Sequence, residues 1–234
     1  MAYTAEMLNS VIVVVGDFNP AIFSPDWLER NKLIGEGDAI AAREGSQGRK
    51  PLVSHQATTF ETDWFTLQVL ENQFSLMSKG VLTPAFKDLS IGIFQLLLHT
   101  PVKAVGLNFV GHFKLATQEE QHKIGDVFAP KGIWDTLYPG EYSGLEQLTI
   151  RIQRGSRDSG SETNDEKRIT LQRSHNFKHG ICLSLNDHHD VTSGDDSNLT
   201  PAEIVAIIID EQWEPTWKDS VRVFDQLLSM AMTK

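Results

Sequence analysis

Three stretches of this sequence alternate between apolar and polar residues with a period of two, and no other feature constrains the fold as strongly. Within 105–115 most apolar residues share one parity and polar residues fall on the other, and the segments 148–153 and 181–186 alternate in the same way. A strand with one face in the core and one face in water has this pattern, which is typical of antiparallel sheets. The sequence therefore predicts an antiparallel sheet with a covered face and an open face.

Helix starts are marked by hydroxyl residues that can cap free backbone N–H groups. Three of them precede a proline, which is suited to the first helical position: Ser24-Pro25, Thr83-Pro84 and Thr200-Pro201. A fourth start pairs Thr117 with Glu120, the spacing of a capping box. Helices are thus predicted between the strands.

The order of the predicted elements repeats once along the chain. The first unit, in residues 1–100, consists of strand 11–16, helix 25–33, three strands between 52 and 78, and helix 84–98. The second unit, in residues 101–234, consists of strand 103–115, helix 118–128, three strands between 145 and 190, and helix 201–231. Two β-α-β-β-β-α units in tandem predict an α+β fold, a curved antiparallel sheet backed by helices in the style of saddle or helix-grip folds, packed as one globule.

Three segments are predicted to interrupt the regular elements. Gly35–Lys50 and Gly155–Glu166 are rich in glycine and small or charged residues, so both are expected to be loops. Pro215 falls within the last helix, where proline removes a hydrogen bond and crowds the preceding turn. A kink or two abutting helices are expected there.

Composition limits the classes of partner. The formal charge is −10, with 31 acidic against 21 basic residues, which disfavours binding to nucleic acid. The single cysteine, Cys182, cannot form an intrachain disulfide, so a cytoplasmic location is expected. The apolar run 11–15 is too short to cross a membrane and follows no basic residue, so no membrane partner is expected.

The open parity of the second unit collects side chains that can form hydrogen bonds with a ligand. They are Thr149, Arg151, Gln153, Arg168, Thr170, Gln172, Ser184 and Asn186. The two guanidinium groups could bind an anion or a peptide carboxylate. The candidate ligand-binding residues are Arg151, Gln153, Arg168, Gln172 and Asn186, with a plain solvated sheet face as the alternative.

A cluster of imidazole and carboxylate groups raises the alternative of a metal site. Its candidate ligands are His175, His179, His188 and Asp190. His175 and His179 are four residues apart, so they would share a face only if this segment were a helix. A strand is predicted here instead. Solvated histidines at strand ends are the competing interpretation.

No motif for a phosphate-binding loop, a nucleophile elbow or a zinc-binding helix occurs, so no cofactor is predicted.

Two tryptophans could mark a protein interface. Trp213 and Trp217 lie four residues apart around Pro215, so one helical face could carry both. They either pack in the core or anchor a contact with another subunit.

Several motifs together resemble a known group of proteins. They are the aromatic-led strand pair Trp64–Val69 and Phe74–Leu76, the helix Phe86–Leu98, the strand Val105–Phe109 and a long C-terminal helix over 201–231. The pattern is similar to that of a sporadically distributed family of uncharacterised bacterial proteins of about this length. The resemblance implies a bacterial protein and transfers no functional residue.

The favoured function is a non-enzymatic binding or regulatory protein, or a subunit of a bacterial cytosolic complex, which binds a protein partner or self-associates. One alternative is a metal-dependent hydrolase that uses the His/Asp cluster 175–190. The other is a sensor of a small anionic ligand or nucleotide that uses the polar sheet face.

Overall fold

The computed structural model describes residues 3–45, 50–80, 82–153, 165–192 and 198–233. These residues form an open, nine-stranded antiparallel sheet with helices packed on it.

The strands are β1 (Tyr3–Gly16), β2 (Leu52–Val53), β3 (Ala57–Glu61), β4 (Phe65–Leu70), β5 (Gln73–Ser78), β6 (Val102–Leu115), β7 (Gln147–Gln153), β8 (Glu166–Arg173) and β9 (Gly180–Asp190). The helices are α1 (Pro25–Arg30), α2 (Glu36–Glu44), α3 (Pro84–Leu96), α4 (Gln118–Phe128), α5 (Gly132–Leu137) and α6 (Pro201–Thr233), with a short 3₁₀ turn at Pro20–Ile22.

The long strands β1 and β6 pair at the centre of the sheet, and each is the first strand of its unit. The strand order is β2-β3-β4-β5-β1-β6-β9-β8-β7. Each unit therefore adds its later strands outward from its own first strand, in reverse chain order. The predicted fold class, two α+β units that build one antiparallel sheet backed by helices, is confirmed.

Apolar side chains of one parity in each strand form the core on the covered face of the sheet. In β6, Val105, Leu107 and Phe109 are fully buried, whereas Asn108 and His112 on the other parity are partly exposed. One core cluster spans the first unit and the centre of the sheet, and a second lies beneath the end of α6. The open face carries the predicted polar residues.

Three of the four predicted caps make their hydrogen bonds. The Ser24 hydroxyl accepts from the backbone N–H of Trp27, and Thr117 with Glu120 forms a complete capping box. Thr200 and Glu203 exchange the same pair of bonds at the start of α6. Thr83 occupies the N-cap of α3 without a side-chain cap bond.

The prediction of a loop over Gly35–Lys50 is wrong for its first part, because α2 occupies Glu36–Glu44. This helix was hidden by its composition, since its small alanines Ala39 and Ala42 are the residues that are buried. Residues 46–49 lie outside the described residues, as do 155–164 of the second predicted loop.

Some predicted boundaries also differ. The first helix ends at Arg30, since Lys32 adopts a left-handed conformation with φ 58°. Residues 52–78 form four strands where three are predicted, because the short strand β2 occupies Leu52–Val53.

The expectation of two abutting helices at Pro215 is wrong, because α6 is a single helix from Pro201 to Thr233. Contacts on both sides of the proline hold the helix against the sheet. The indole Nε1 of Trp213 donates to Ser10 Oγ at 3.1 Å, and Thr216 Oγ1 donates to Asp187 Oδ2 at 2.8 Å. These bonds offset the loss of the hydrogen bond that Pro215 cannot donate.

Candidate functional site

Polar side chains on the open face of the second unit form rows that run across the strands. Pairing places Arg151 of β7 opposite Arg168 of β8, and Arg168 opposite Asn186 of β9. The row continues to Asn108 of β6 and Val11 of β1. The structure therefore brings three of the predicted ligand-binding residues into one line, from the edge of the sheet toward its centre.

A parallel row carries hydroxyl groups. Thr149, Thr170 and Ser184 lie opposite one another on the same three strands. The Oγ1 atoms of the two threonines are 3.0 Å apart and share a hydrogen bond. This row provides polar groups directly beside the arginines.

The remaining predicted ligand-binding residues lie in the two outer rows. Gln153 is opposite Glu166, which in turn is opposite His188. Gln172 is opposite Cys182. All the candidates therefore share the open face, but Gln153 and Gln172 lie on either side of the arginine row.

Glu166 is the acidic partner of both arginines. The Arg151 Nε group donates to Glu166 Oε2, and Arg168 Nη2 contacts Glu166 Oε1. Glu166 is only 2% exposed, whereas the side chains of Arg151 and Arg168 are 60% and 54% exposed. One buried carboxylate thus anchors two cationic side chains whose outer surfaces face solvent.

The electrostatics of this group favour the ionised carboxylate. Burial of Glu166 opposes ionisation, but the hydrogen bond from Arg151 and the charges of both guanidinium groups outweigh it. The pKa of the Glu166 carboxyl is therefore lowered from its ordinary value. At neutral pH the group consists of two cations and one anion.

Two amides extend the arginine row toward the centre. Asn186 Nδ2 donates to Asn108 Oδ1 at 2.7 Å, and Asn108 Nδ2 donates to the backbone oxygen of Val11 at 3.0 Å. These bonds fix the orientation of both amides, because the nitrogen of each must face an acceptor. The row is therefore ordered before any ligand arrives.

The open face is hollowed into a shallow trough of about 440 Å³ beside this row. Its lining includes Arg168, Asn186 and His188 together with Ala104 and Gly106. A Cβ atom added at Gly106 would lie 3.0 Å from Asn186 Nδ2, which is closer than most real contacts. Glycine at this position thus leaves room for the amide that borders the trough.

Sequence reasoning missed two residues of the site. Glu166 is the last residue of the loop predicted over Gly155–Glu166, so the alternation of the predicted strands does not include it. Asn108 was placed on the polar parity of its strand, but its partner in β9 lies 78 residues away in the chain. The signal for Glu166 was its position two residues before Arg168, on the same parity.

The candidate metal ligands are distributed over two regions. His188 and Asp190 lie on the open-face parity of β9, whereas His175 and His179 precede β9 in the connection from β8. Among the described residues, no three or more His, Cys, Asp or Glu side chains form a group that could hold a metal ion. The described part of the chain therefore gives no support to the metal-site alternative.

Two further residues of the segment 175–190, Asp187 and His189, lie on the covered face. Asp187 and His189 are 1% and 5% exposed, and His189 Nε2 is 3.3 Å from Asp187 Oδ1. His189 Nδ1 is 3.6 Å from Asp165 Oδ2. Because Asp187 also accepts from Thr216, this chain of polar groups ties β9 to α6 and has a structural role.

Cys182 has a histidine neighbour that the sequence did not reveal. Its Sγ atom lies 3.8 Å from His112 Nε2, and His112 Nδ1 lies 2.8 Å from Ser174 Oγ. Burial raises the pKa of the Cys182 thiol, and burial together with the nearby His175 lowers the pKa of His112. Both shifts favour a neutral thiol beside a neutral imidazole, which is the opposite of an activated nucleophile.

The two tryptophans of α6 pack on the same phenylalanine. The ring of Phe109 lies 5.8 Å from that of Trp213 and 5.3 Å from that of Trp217. Trp213 is buried and Trp217 is half-buried. This is the core-packing alternative, and it leaves Trp213 little surface to offer a partner.

A second cleft, of about 380 Å³, lies between α4, residues 142–146 before β7 and the end of β8. Gln121 lines it and is 5% exposed; its Nε2 donates to the Gly180 backbone oxygen at 2.7 Å. Its Oε1 and the lining Ser143 Oγ have no hydrogen-bond partner among the described residues. The lining of the cleft is mixed polar and apolar, and Gln172 is the one candidate ligand-binding residue among the described residues that line it.

Within the described residues, no helix combines the length and the apolar character needed to span a membrane. In comparisons with known proteins, the chain matches no family model and no curated protein. The resemblance to a bacterial family therefore stays a prediction, and the functional argument depends on the open face itself.

Proposed function

We propose that the protein is a non-enzymatic regulatory binding protein of the bacterial cytosol that holds an anionic ligand on the open face of its sheet. Arg151 and Arg168 would be the main binding residues. The observation that supports this proposal is that the two guanidinium groups lie opposite each other on an uncovered face and share one carboxylate.

The charge of this group favours an anion. Like charges directly opposite each other on neighbouring strands destabilise a sheet. Among the described residues Glu166 pairs with both cations and compensates for one of them, which leaves a surplus of one positive charge in this group. A second anion would complete the balance, and it would do so from the solvent side, where both arginines are exposed.

The donors that remain are suited to a carboxylate or a phosphate. A guanidinium group carries five N–H donors in a planar fork, and Glu166 uses only part of each set. The free edges can form the paired hydrogen bonds with which arginine binds carboxylates and phosphates. The ligand class is therefore a small acid or a phosphate ester such as a nucleotide.

The shape of the face indicates where the rest of the ligand would lie. The trough of about 440 Å³ is within the range of small-molecule sites and begins beside Arg168. Asn186 and the row of hydroxyl groups at Thr170 and Ser184 border it. The trough is also lined by Val13, Val15 and Ala104, so a ligand with an acidic end and a body of mixed polar and apolar character would contact both features.

The alternative of a metal-dependent hydrolase has no comparable support, since its four candidate ligands are divided between the open face and the β8–β9 connection. The Cys182–His112 pair also lacks the low thiol pKa of a nucleophile. A binding function requires neither.

The test is a pair of substitutions with opposite expected effects. Binding of pyrophosphate, citrate and ATP would be measured by isothermal titration calorimetry. Replacing both arginines in the double variant R151Q/R168Q is expected to abolish binding. Glu166→Gln removes the internal competitor for the same donors, so it is expected to strengthen binding by about tenfold, the equivalent of one charge-assisted hydrogen bond.

A matched control is available on the other side of the molecule. Arg222 of α6 is 58% exposed and pairs with the carboxylate of Asp219, so Arg222→Gln removes an arginine charge away from the face, as each of the two substitutions in the double variant does on it. Its affinity should equal that of the wild type. If none of the three anions binds, or if Arg222→Gln weakens binding as much as the loss of Arg151 and Arg168, the proposal is wrong.

A further inference from the structure

Strand β7 lies at one end of the sheet, and no described residue pairs with its outer edge. Such an edge presents unpaired backbone N–H and C=O groups that can accept another strand. Two isoleucines of this strand, Ile150 and Ile152, are 48% and 46% exposed. Exposed apolar side chains beside an unpaired backbone edge are typical of a site for strand addition.

The apolar residues of β7 are symmetric about the centre of the strand. Ile150 is the middle residue of Gln147–Gln153, and Leu148 and Ile152 lie two positions to either side on the same face. If a second copy of β7 pairs antiparallel about this centre, Ile150 lies opposite the partner's Ile150. Leu148 then lies opposite the partner's Ile152, so that every apolar side chain meets another.

The polar face of the strand is compatible with the same register. Thr149 would lie opposite the partner's Arg151, and Gln147 opposite the partner's Gln153. No like charges would lie directly opposite each other, which is the arrangement that destabilises paired strands. Both faces of β7 are therefore complementary to a second β7.

The two neighbouring registers of the β7–β7 pair bring together less compatible side chains. Paired residues in an antiparallel ladder must point to the same face, so the centre can move only by a whole residue. With the centre at Thr149, Ile152 would lie opposite the partner's Glu146. With the centre at Arg151, the two Arg151 side chains would lie opposite each other. Of these three registers, only the one centred on Ile150 pairs every apolar side chain with another on one face and avoids opposed like charges on the other face.

The charge of the edge also suits contact between identical molecules. Each copy has a net charge of −10, so two copies repel each other over most of their surface. Strand β7 contains no acidic residue and includes the basic Arg151. Charge repulsion therefore opposes the approach of two copies less at this strand than at the acidic parts of the surface.

We propose that two copies of the chain associate through their β7 strands, antiparallel about Ile150, to form one continuous sheet. This inference does not depend on the proposed ligand. It would place the arginine row of each copy next to the row of its partner, because the open faces of the two sheets become continuous.

The register is tested by engineered cysteines in the full-length protein. Ile150→Cys would place the two cysteine Cα atoms about 4.5–5.5 Å apart, within the range of a disulfide. Mild oxidation is expected to convert this variant to a covalent dimer. Gln147→Cys is the control, since its two copies would lie about 20 Å apart and should stay monomeric on a denaturing gel. The native Cys182 is 5% exposed, so the wild type should not cross-link.

The interface is tested by light scattering during gel filtration. The wild type should have twice the chain mass of 26.2 kDa. Ile150→Lys should have the mass of one chain, with an unchanged circular dichroism spectrum. Leu52→Lys is the matched control, because Leu52 is 49% exposed on the opposite edge strand, β2; this variant should remain a dimer.

A wild type that is monomeric at the highest soluble concentration would overturn the inference. A dimer that persists in Ile150→Lys would also overturn it. So would a Gln147→Cys variant that cross-links as readily as Ile150→Cys.

Discussion

Glu166 is the residue that determines the charge balance of the open face. Its folded-state pKa is lowered, because the two arginines outweigh the cost of burial. A carboxyl with a lowered folded pKa stabilises the folded state above its unfolded pKa, here about 4.5. That stabilisation is lost as the pH falls through the folded pKa.

Glu166→Gln is expected to reduce the free energy of unfolding by about 1.5 kcal/mol at neutral pH, the lower end of the range for a hydrogen bond to a charged group, because both arginines are half exposed. The difference from the wild type should shrink in acid, as the wild-type carboxyl becomes protonated. Urea denaturation at several pH values measures it.

The comparison variant is Glu214→Gln, which breaks an exposed pair with Lys218 on α6. Exposed pairs contribute little, so its effect should be smaller at every pH. Equal losses in the two variants, or a Glu166→Gln deficit that persists undiminished in strong acid, would contradict the role given to Glu166.

At the scale of single residues, the sequence predicted what depends on parity within one strand. Arg151, Arg168 and Asn186 were assigned to the open face from alternation alone. The contact between Cys182 and His112 could not be predicted, because it depends on the pairing of β9 with β6, 70 residues apart. Alternation predicts the face of the sheet on which a side chain lies, but it does not predict which strand lies next to it.

Helix α4 shows how local chemistry determines an element. It runs from Gln118 to Phe128, as the capping box at Thr117 and Glu120 predicted. Helices α2 and α5 have no side-chain cap, and neither was predicted. Short helices without a cap or an apolar stripe give no signal that separates them from loops.

The prediction at this scale is that the capping box contributes measurably to stability. Thr117→Ala removes the hydroxyl that accepts from the Glu120 N–H at 3.1 Å. The expected cost is about 1 kcal/mol, measured as a fall in the urea midpoint with an unchanged slope.

Thr83→Ala is the matched control, since Thr83 occupies the same position before α3 but makes no side-chain cap bond. It should have a smaller effect. A larger loss from Thr83→Ala than from Thr117→Ala would show that the cap bond is not the cause.

At the scale of the whole molecule, the two units share their largest core cluster. Trp213 of the second unit belongs to the same cluster as Ile12 and Phe74 of the first. Its indole also donates to Ser10 of the first unit. The order of elements predicted two units, but the sequence could not show that their first strands pair, because β1 and β6 carry no mutual signal.

We therefore expect that neither unit folds alone. Fragments 1–100 and 101–234 should each give circular dichroism spectra of largely unfolded chains, since each would expose its side of the shared cluster. Mixing the two fragments should restore the native spectrum, and the intact chain should unfold in one transition. A fragment that unfolds cooperatively by itself would contradict this expectation.

The two ends of the sheet differ in a way that bears on how far an assembly could grow. The end formed by β2 offers only two residues, Leu52 and Val53, too few to hold an incoming strand of ordinary length. In the part of the chain that the structure describes, the β7 end is the one long enough to accept a strand, and a contact that uses the same patch on both molecules is saturated once it forms. Joining through β7 would therefore stop at a pair, and fibres built by end-to-end stacking of sheets would have no second site from which to extend.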